Sequence, residues 1–227
     1  MKLNELIHDQ VNKMKQIEAN LIEYLEDQET DDSYLSDFLN ENKIKSNKCD
    51  LNSFLHLLSC ISNHHQRSPG FIKKIEKIIT NLQSDIAQFF TNLEIFHIFE
   101  DNKRIMYFLF EQGILKQDKK VLIIIQNRHQ NYIQYLFPDF KNLNKQDKER
   151  FDEYRKIGEN DSYISELIRN DDVEEFIIYC NKNNCPLNGK INHSIFETNP
   201  LFLVDDEQEM PSLIEYASFY GSIQIVQ

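Results

Sequence analysis

Apolar residues recur every three or four positions along nearly all of this chain, and each such stretch predicts a helix. Leu3, Ile7, Val11, Met14, Leu21 and Leu25 mark the first, over residues 3–25, with Glu18 interrupting the seam. After the acidic run 26–33, a short second helix turns Leu35, Phe38 and Leu39 inward. The polar loop 42–48 leads to a third, for which Asp50 is the expected N-cap and Leu51, Phe54, Leu55, Leu58 and Ile61 the buried face. Ser68 and Pro69 suit the start of a fourth, a capping hydroxyl followed by a residue whose missing N–H costs nothing there. Its stripe, Phe71, Ile72, Ile75, Ile78, Ile79, Leu82, Ile86, Phe89 and Phe90, is the cleanest in the chain.

Beyond residue 90 the expected helices shorten and come in pairs: 93–99 with 102–112, 119–125 with 131–137, and 162–169 with 172–180. A last pair occupies 212–227, with Ile214, Ala217 and Ser218 on one face, a turn at Gly221, and Ile223, Ile225 and Val226 opening the next stripe. Gly221 takes the left-handed conformation that ends a helix at low cost. In the pair before it, the turn falls at Asn170-Asp171, and Val173, Phe176, Ile177, Tyr179 and Cys180 follow as the apolar face. Residues 147–156 read as a charged helix anchored by Phe151 and Tyr154, and the polar connector 140–146 before it marks a boundary. The expected organisation is a helical leader domain over 1–145 and a second domain over 146–227. Within the latter, residues 192–210 read as an insertion carrying Pro200 and the acidic run Asp205–Glu209. The fold class is all-α, an array of antiparallel helix pairs.

Composition fits this reading and narrows the function. With 41% hydrophobic residues, 16 Phe and 10 Tyr among them, the chain has enough apolar surface to build a core and argue against disorder. A formal net charge of -12 opposes binding to a phosphate backbone, which excludes nucleic acid as the expected partner. The longest aliphatic run, Val121–Ile125, is far short of a membrane span, and the N-terminal residues lack the apolar core of a secretory signal, so a cytoplasmic location is expected. The four cysteines, Cys49, Cys60, Cys180 and Cys185, are too sparse for a disulfide scaffold and read as free thiols.

Three blocks carry a family likeness: residues 155–182, residues 194–203, and SLIEYASFYGSIQIV at 212–226. In the third, Ser212 stands at the Thr, Ile214 at the Leu, Ala217 and Ser218 at the paired Ala, and Gly221 at the turn of the ankyrin signature. Leu213 and Glu215 replace its Pro and His. Phe108–Gly113 resembles the close of an ankyrin repeat's second helix, and Leu187-Asn188 resembles the lead out of one. Together these blocks resemble the ankyrin-repeat proteins of trichomonad-type protists, which carry a roughly 80-residue uncharacterised domain ahead of regular repeats. The resemblance covers about 148–227. It implies ankyrin-type stacking and protein binding, and it brings no catalytic residues.

Candidate chemistry is sparse. Cys60 and His64 share a helix face, with His56 a turn earlier and His65 adjacent, but a structural zinc site needs four ligands. Cys180 and Cys185, with His193 nearby, lack a second ligand pair. No Gly-rich phosphate loop, G-x-S-x-G or H-E-x-x-H occurs. The expected function is therefore a non-catalytic protein-interaction scaffold with no metal or cofactor. Asp171, Asp172, Phe219 and Tyr220 are its candidate contact residues, beside the turn tips that face partners in repeat arrays. The alternatives are an N-terminal cap that only covers a longer ankyrin array, and an enzyme of unrecognised type. Because Ile223, Ile225 and Val226 lie within the last turn, weak self-association through that end is also expected.

Overall fold

The computed structural model describes residues 3–27, 32–65, 70–138, 144–199, 202 and 210–227, and for residues 3–7, 9, 32 and 33 the backbone alone. The expected helix start at Ser68-Pro69, Pro200 and the run Asp205–Glu209 lie outside these residues. So do the side chains of Leu3 and Ile7, part of the acidic run 26–33, and residues 139–143, most of the polar connector. Among the described residues the chain is 71% helix and forms no strand, only an antiparallel bridge between Lys190 and Ser212. It is all-α. Its contacts divide it into two units, Met1–Ser62 with Arg67–Ile98, and Asn63–Gln66 with Phe99–Gln227, a division that falls ahead of the expected boundary at 145/146.

The first unit holds α1 (Leu3–Glu26), α2 (Asp32–Glu41), most of α3 (Lys48–His64), α4 (Phe71–Asn81), α5 (Gln83–Phe89) and most of α6 (Asn92–Phe99). Ile17, Leu21, Tyr24 and Leu25 form the buried face of α1, whereas Val11 is 48% exposed. The α1 carboxyl end is satisfied by a cation from α4. The Lys74 ammonium donates to the carbonyl of Tyr24 at 2.6 Å and to that of Asp27, and sits 5.1 Å from the centre of the Tyr24 ring. The cap of α3 is Asn47 rather than Asp50. Asn47 Oδ1 accepts from the Asp50 N–H at 3.0 Å, and its amide donates to the Asp50 carboxylate at 2.9 Å.

The expected single helix over 71–90 is broken at Leu82, where ψ moves to 0°. Thr80 donates to the Glu76 carbonyl and Asn81 to the Lys77 carbonyl, side-chain bonds of the kind that bend helices. The apolar stripe survives the break, since Ile75, Ile78, Ile79, Leu82 and Ile86 are all fully buried. On the surface of this unit, Lys48 pairs with Glu94 at 2.6 Å. That pairing, with hydrogen bonds from the Thr91 N–H and hydroxyl, holds the exposed Glu94 carboxyl down at about 2.

The second unit contains α7 (Lys103–Glu111), α8 (Lys119–Arg128), α9 (Gln130–Leu136), α10 (Lys145–Ile157), α11 (Tyr163–Arg169), α12 (Val173–Asn183), α13 (Leu213–Tyr220) and α14 (Ile223–Val226). Its carboxyl-terminal core gathers Ile164, Leu167, Ile168, Phe176, Ile191, Phe202, Leu213, Tyr216, Ala217, Tyr220 and Ile225. Three faces differ from expectation. On α13 the buried side is Leu213, Tyr216, Ala217 and Tyr220, with Ser218 outside, because the large rings of Tyr216 and Tyr220 pack tilted against each other, centres 4.7 Å apart, and against Phe202. On α12 only Phe176 is buried, and Ile177 and Ile178 are 52% and 56% exposed. On α14 Ile225 is buried, while Ile223 and Val226 are exposed.

Cations of α7 lie inside this unit. Lys103, 2% exposed, donates to the Ile195 carbonyl at 2.8 Å and stands 5.0 Å from the Tyr135 ring centre. Arg104 Nε donates to the Lys156 carbonyl at 2.7 Å. Its aliphatic stem closes over Gly158, the left-handed residue (φ 73°) after α10. A Cβ there would meet Arg104 Cδ at 2.9 Å.

Gly158→Ala therefore adds a crowded methyl to the left-handed backbone. It is expected to lower stability by about 1–2 kcal/mol in urea unfolding without changing helix content. A neutral effect would show that neither constraint is felt.

Burial pushes the Lys103 ammonium from 10.5 down to about 8, against the pull of Glu197. Between those two pH values the unfolded chain keeps a proton that the folded chain has released, so stability rises with pH through that window. Relative to Lys103→Met, the wild type should gain on the order of 3 kcal/mol between pH 7.5 and 10.5. Parallel pH profiles would contradict the buried-ammonium assignment.

Candidate functional site

In the second unit a cleft of about 690 Å³ opens between α10 and α11. Helix α10 is charged along most of its length, so it presents only a few side chains to the core and leaves the rest free to line a surface. It begins at Asn144, whose side chain accepts from the Asp147 N–H at 2.9 Å and donates to the Asp147 carboxylate at 2.7 Å. Glu149, Glu153 and Ile157 recur at four-residue spacing and so share one face, with Arg150 and Tyr154 beside them. Ile157 is 47% exposed, an apolar side chain open to solvent within a polar wall.

The turn from α10 to α11 is rigid. Asn160, 1% exposed, donates to the Asn192 carbonyl at 2.8 Å and accepts from the Ser162 N–H at 3.0 Å. Arg169 on α11 donates to the Asn160 carbonyl at 2.9 Å and to the Tyr216 hydroxyl at 3.1 Å. Asp161 accepts from the Ser194 hydroxyl at 2.7 Å, and Glu159 accepts from the Tyr220 hydroxyl. Burial, with Glu197 nearby, drives the Tyr216 phenol far above its ordinary range, so it serves as a neutral group. Five carboxylates line the cleft, Glu149, Glu153, Glu159, Asp161 and Glu166, against two guanidinium groups, Arg150 and Arg169. Arg169 is turned inward by its bonds, and Arg150 lies 5.4 Å from the Tyr154 ring centre. The cleft therefore favours cations, with an apolar contact at Ile157.

Two smaller openings are also present among the described residues. A polar recess of about 290 Å³ is formed by Asn63, His64, Asp101, Arg128, His129, Asn131 and Tyr132, with His129 placed 3.5 Å from Glu100. In the first unit a groove of about 610 Å³ runs between α1 and α3 over Val11, Met14, Ile17, Ile44 and Leu57. Cys60 and His64 are both exposed, and His65 is half-buried. Among the described residues no three His, Cys, Asp or Glu side chains come together as a metal site would require. No helix among them is long and apolar enough to cross a membrane.

The four candidate contact residues all have partners inside the second unit. Asp171 is left-handed (φ 52°), and its carboxylate accepts from the N–H groups of Gln224 at 3.1 Å and Ile225 at 3.2 Å, the first turn of α14. Asp172 caps α12 through the Glu175 N–H at 3.2 Å. Phe219 packs edge-on to Phe202, and Tyr220 is 9% exposed with its hydroxyl on Glu159. Tyr220 is thus no open anchor; it stands behind the cleft and fixes one of its carboxylates. The cleft itself was not singled out by sequence. The part of it legible in the sequence is the row Glu149, Glu153 and Ile157 at four-residue spacing, an acidic helix face ending in an apolar residue.

Comparison with family models, with curated proteins and with solved structures finds no match for this chain.

Asp171→Ala removes the shared cap of α14. It is expected to cost about 1–2 kcal/mol and to speed amide exchange at Gln224 and Ile225 at least tenfold. Unchanged exchange there would mean that α14 is held by packing alone.

Proposed function

We propose that the region from about residue 146 is an ankyrin-type array of helix pairs acting as a non-catalytic protein-interaction scaffold, and that the α10–α11 cleft is its binding surface. The array reading is supported by two turns of the same construction, 50 residues apart in the sequence at Asp171 and Gly221. Each is left-handed, at φ 52° and 67°. In each the following N–H, of Asp172 or Ser222, bonds 3.0 Å back to the carbonyl five residues earlier. The resemblance of residues 148–227 to the protist ankyrin-repeat proteins points the same way.

The observation that carries the function is the cleft's make-up. Five carboxylates line the cleft together with an exposed Ile157, beside a turn held by part-buried hydrogen bonds. Preorganised walls reduce the ordering cost of binding, and like charges gathered in a concavity steer a cation of opposite sign. The partner surface such a cleft fits is a segment that pairs Lys or Arg with an aliphatic side chain. The protein's overall acidity supports the same choice of partner.

Peptide display against the full chain tests this. Selected peptides should be rich in Lys and Arg around an aliphatic residue, and their affinity should fall with salt. Glu149→Lys with Glu153→Lys should weaken them on the order of tenfold, about 1.4 kcal/mol, while circular dichroism stays unchanged. Acidic peptides, or equal binding to the double variant, would contradict the assignment.

A further inference from the structure

Helix α12 ends in a turn whose side-chain contact is made by two thiols. Asn184 takes the left-handed conformation (φ 52°), and the Cys185 N–H donates to the Cys180 carbonyl at 3.0 Å. This closing bond belongs to a motif in which the side chain two places past the helix end packs on the one three places before it. Those two positions usually hold hydrophobic groups; here they are Cys185 and Cys180. The motif brings the Cys185 side chain back toward that of Cys180. Both are free, half-buried and set against the edge of the carboxyl-terminal core, so each has a partner thiol on one side and solvent access on the other. A bonded turn that sets two cysteines at the paired positions of this motif suits the local demand of a disulfide, whose Cα atoms must lie close with their β-carbons converging.

We propose that Cys180 and Cys185 form a reversible oxidation site for a hydroperoxide, closing an intrachain disulfide across the end of α12. In the first step the Cys185 sulfur attacks the hydrogen peroxide O–O bond, forming a sulfenic acid and releasing water. In the second the Cys180 sulfur attacks the Cys185 sulfur, the S–S bond forms, and the hydroxyl leaves with the Cys180 proton as a second water. Overall two thiols lose two electrons and two protons to one peroxide, giving one disulfide and two waters. Burial raises the Cys180 thiol, which leaves the first attack on the peroxide to Cys185. The chain that leaves Cys185 is bonded to the start of α13, with the Leu213 N–H on the Gly189 carbonyl at 2.8 Å and the Ile191 N–H on the Pro211 carbonyl at 2.9 Å. Oxidation therefore stiffens the link between the two helix pairs. This inference stands on the turn geometry and does not depend on the binding role of the cleft.

The test is peroxide oxidation of the full chain, followed by alkylation under denaturing conditions and peptide mass mapping. The expected result is a Cys180–Cys185 crosslink with loss of two hydrogens, while Cys49 and Cys60 remain alkylated and dithiothreitol reverses the change. In Cys180→Ser, dimedone should trap a sulfenic acid at Cys185 instead. In the wild type, oxidation should slow exchange of the Cys185 amide at least tenfold. Crosslinks to Cys49, Cys60 or a second chain, or four equally alkylated thiols after oxidation, would overturn the proposal, and the wild-type map decides this even if the variant folds poorly.

Discussion

The carboxyl-terminal part of the second unit depends on hydrogen bonds that pass from one helix pair to the next. Helices of four to eleven residues are too short to hold themselves in water, because the first turn fixes several dihedrals for little return. Here the termini of one pair are completed by the other. The Asp171 carboxylate takes the first free N–H groups of α14, and the Ser222 hydroxyl donates to the Ile168 carbonyl at the end of α11. A capping box, with Ser212 accepting from the Glu215 N–H and Glu215 accepting from the Ser212 N–H, then fixes where α13 begins.

Between the pairs runs the segment 191–199, which is irregular and yet largely buried. Backbone groups taken out of water must find partners or cost about 1–3 kcal/mol each, and here Lys103 of α7 and Asn160 of the α10–α11 turn each supply one. Lys103 takes the Ile195 carbonyl, Asn160 takes the Asn192 carbonyl, and Thr198 donates to the Gly158 carbonyl at 2.6 Å. Glu197 accepts from the Asn199 N–H and the Tyr216 hydroxyl. The same contacts position Asn160 and Asp161 in the cleft wall, so the site's shape follows from how a buried loop is satisfied.

Much of the helical framework was legible in the sequence because it rests on short-range periodicity. The stripe from Phe71 to Phe90, the turn at Asn170-Asp171, the left-handed Gly221 and the all-α class need only local residues to be read. The errors arose where a competing side chain or a distant ring decided the outcome. Asn47 rather than Asp50 caps α3 because its amide and carboxamide oxygen serve the same neighbour. Thr80 and Asn81 broke a helix whose apolar spacing was perfect. Tyr216 and Tyr220 displaced Ile214 and Ser218 from the core through aromatic contacts with Phe202, 14 and 18 residues earlier in sequence. The cleft escaped the sequence for a related reason: Asn160, which anchors Arg169 in its wall, is held by the Asn192 carbonyl some 30 residues away.

If the cross-pair bonds are what hold this region, α11 to α14 open together. Native-state hydrogen exchange as a function of low denaturant concentration measures that directly. The account predicts that the slowest amides of α11, α12 and α13 share one opening free energy and one denaturant slope. A separate, less costly opening of α13 and α14, with α11 and α12 still protected, would contradict it and show that each pair stands on its own.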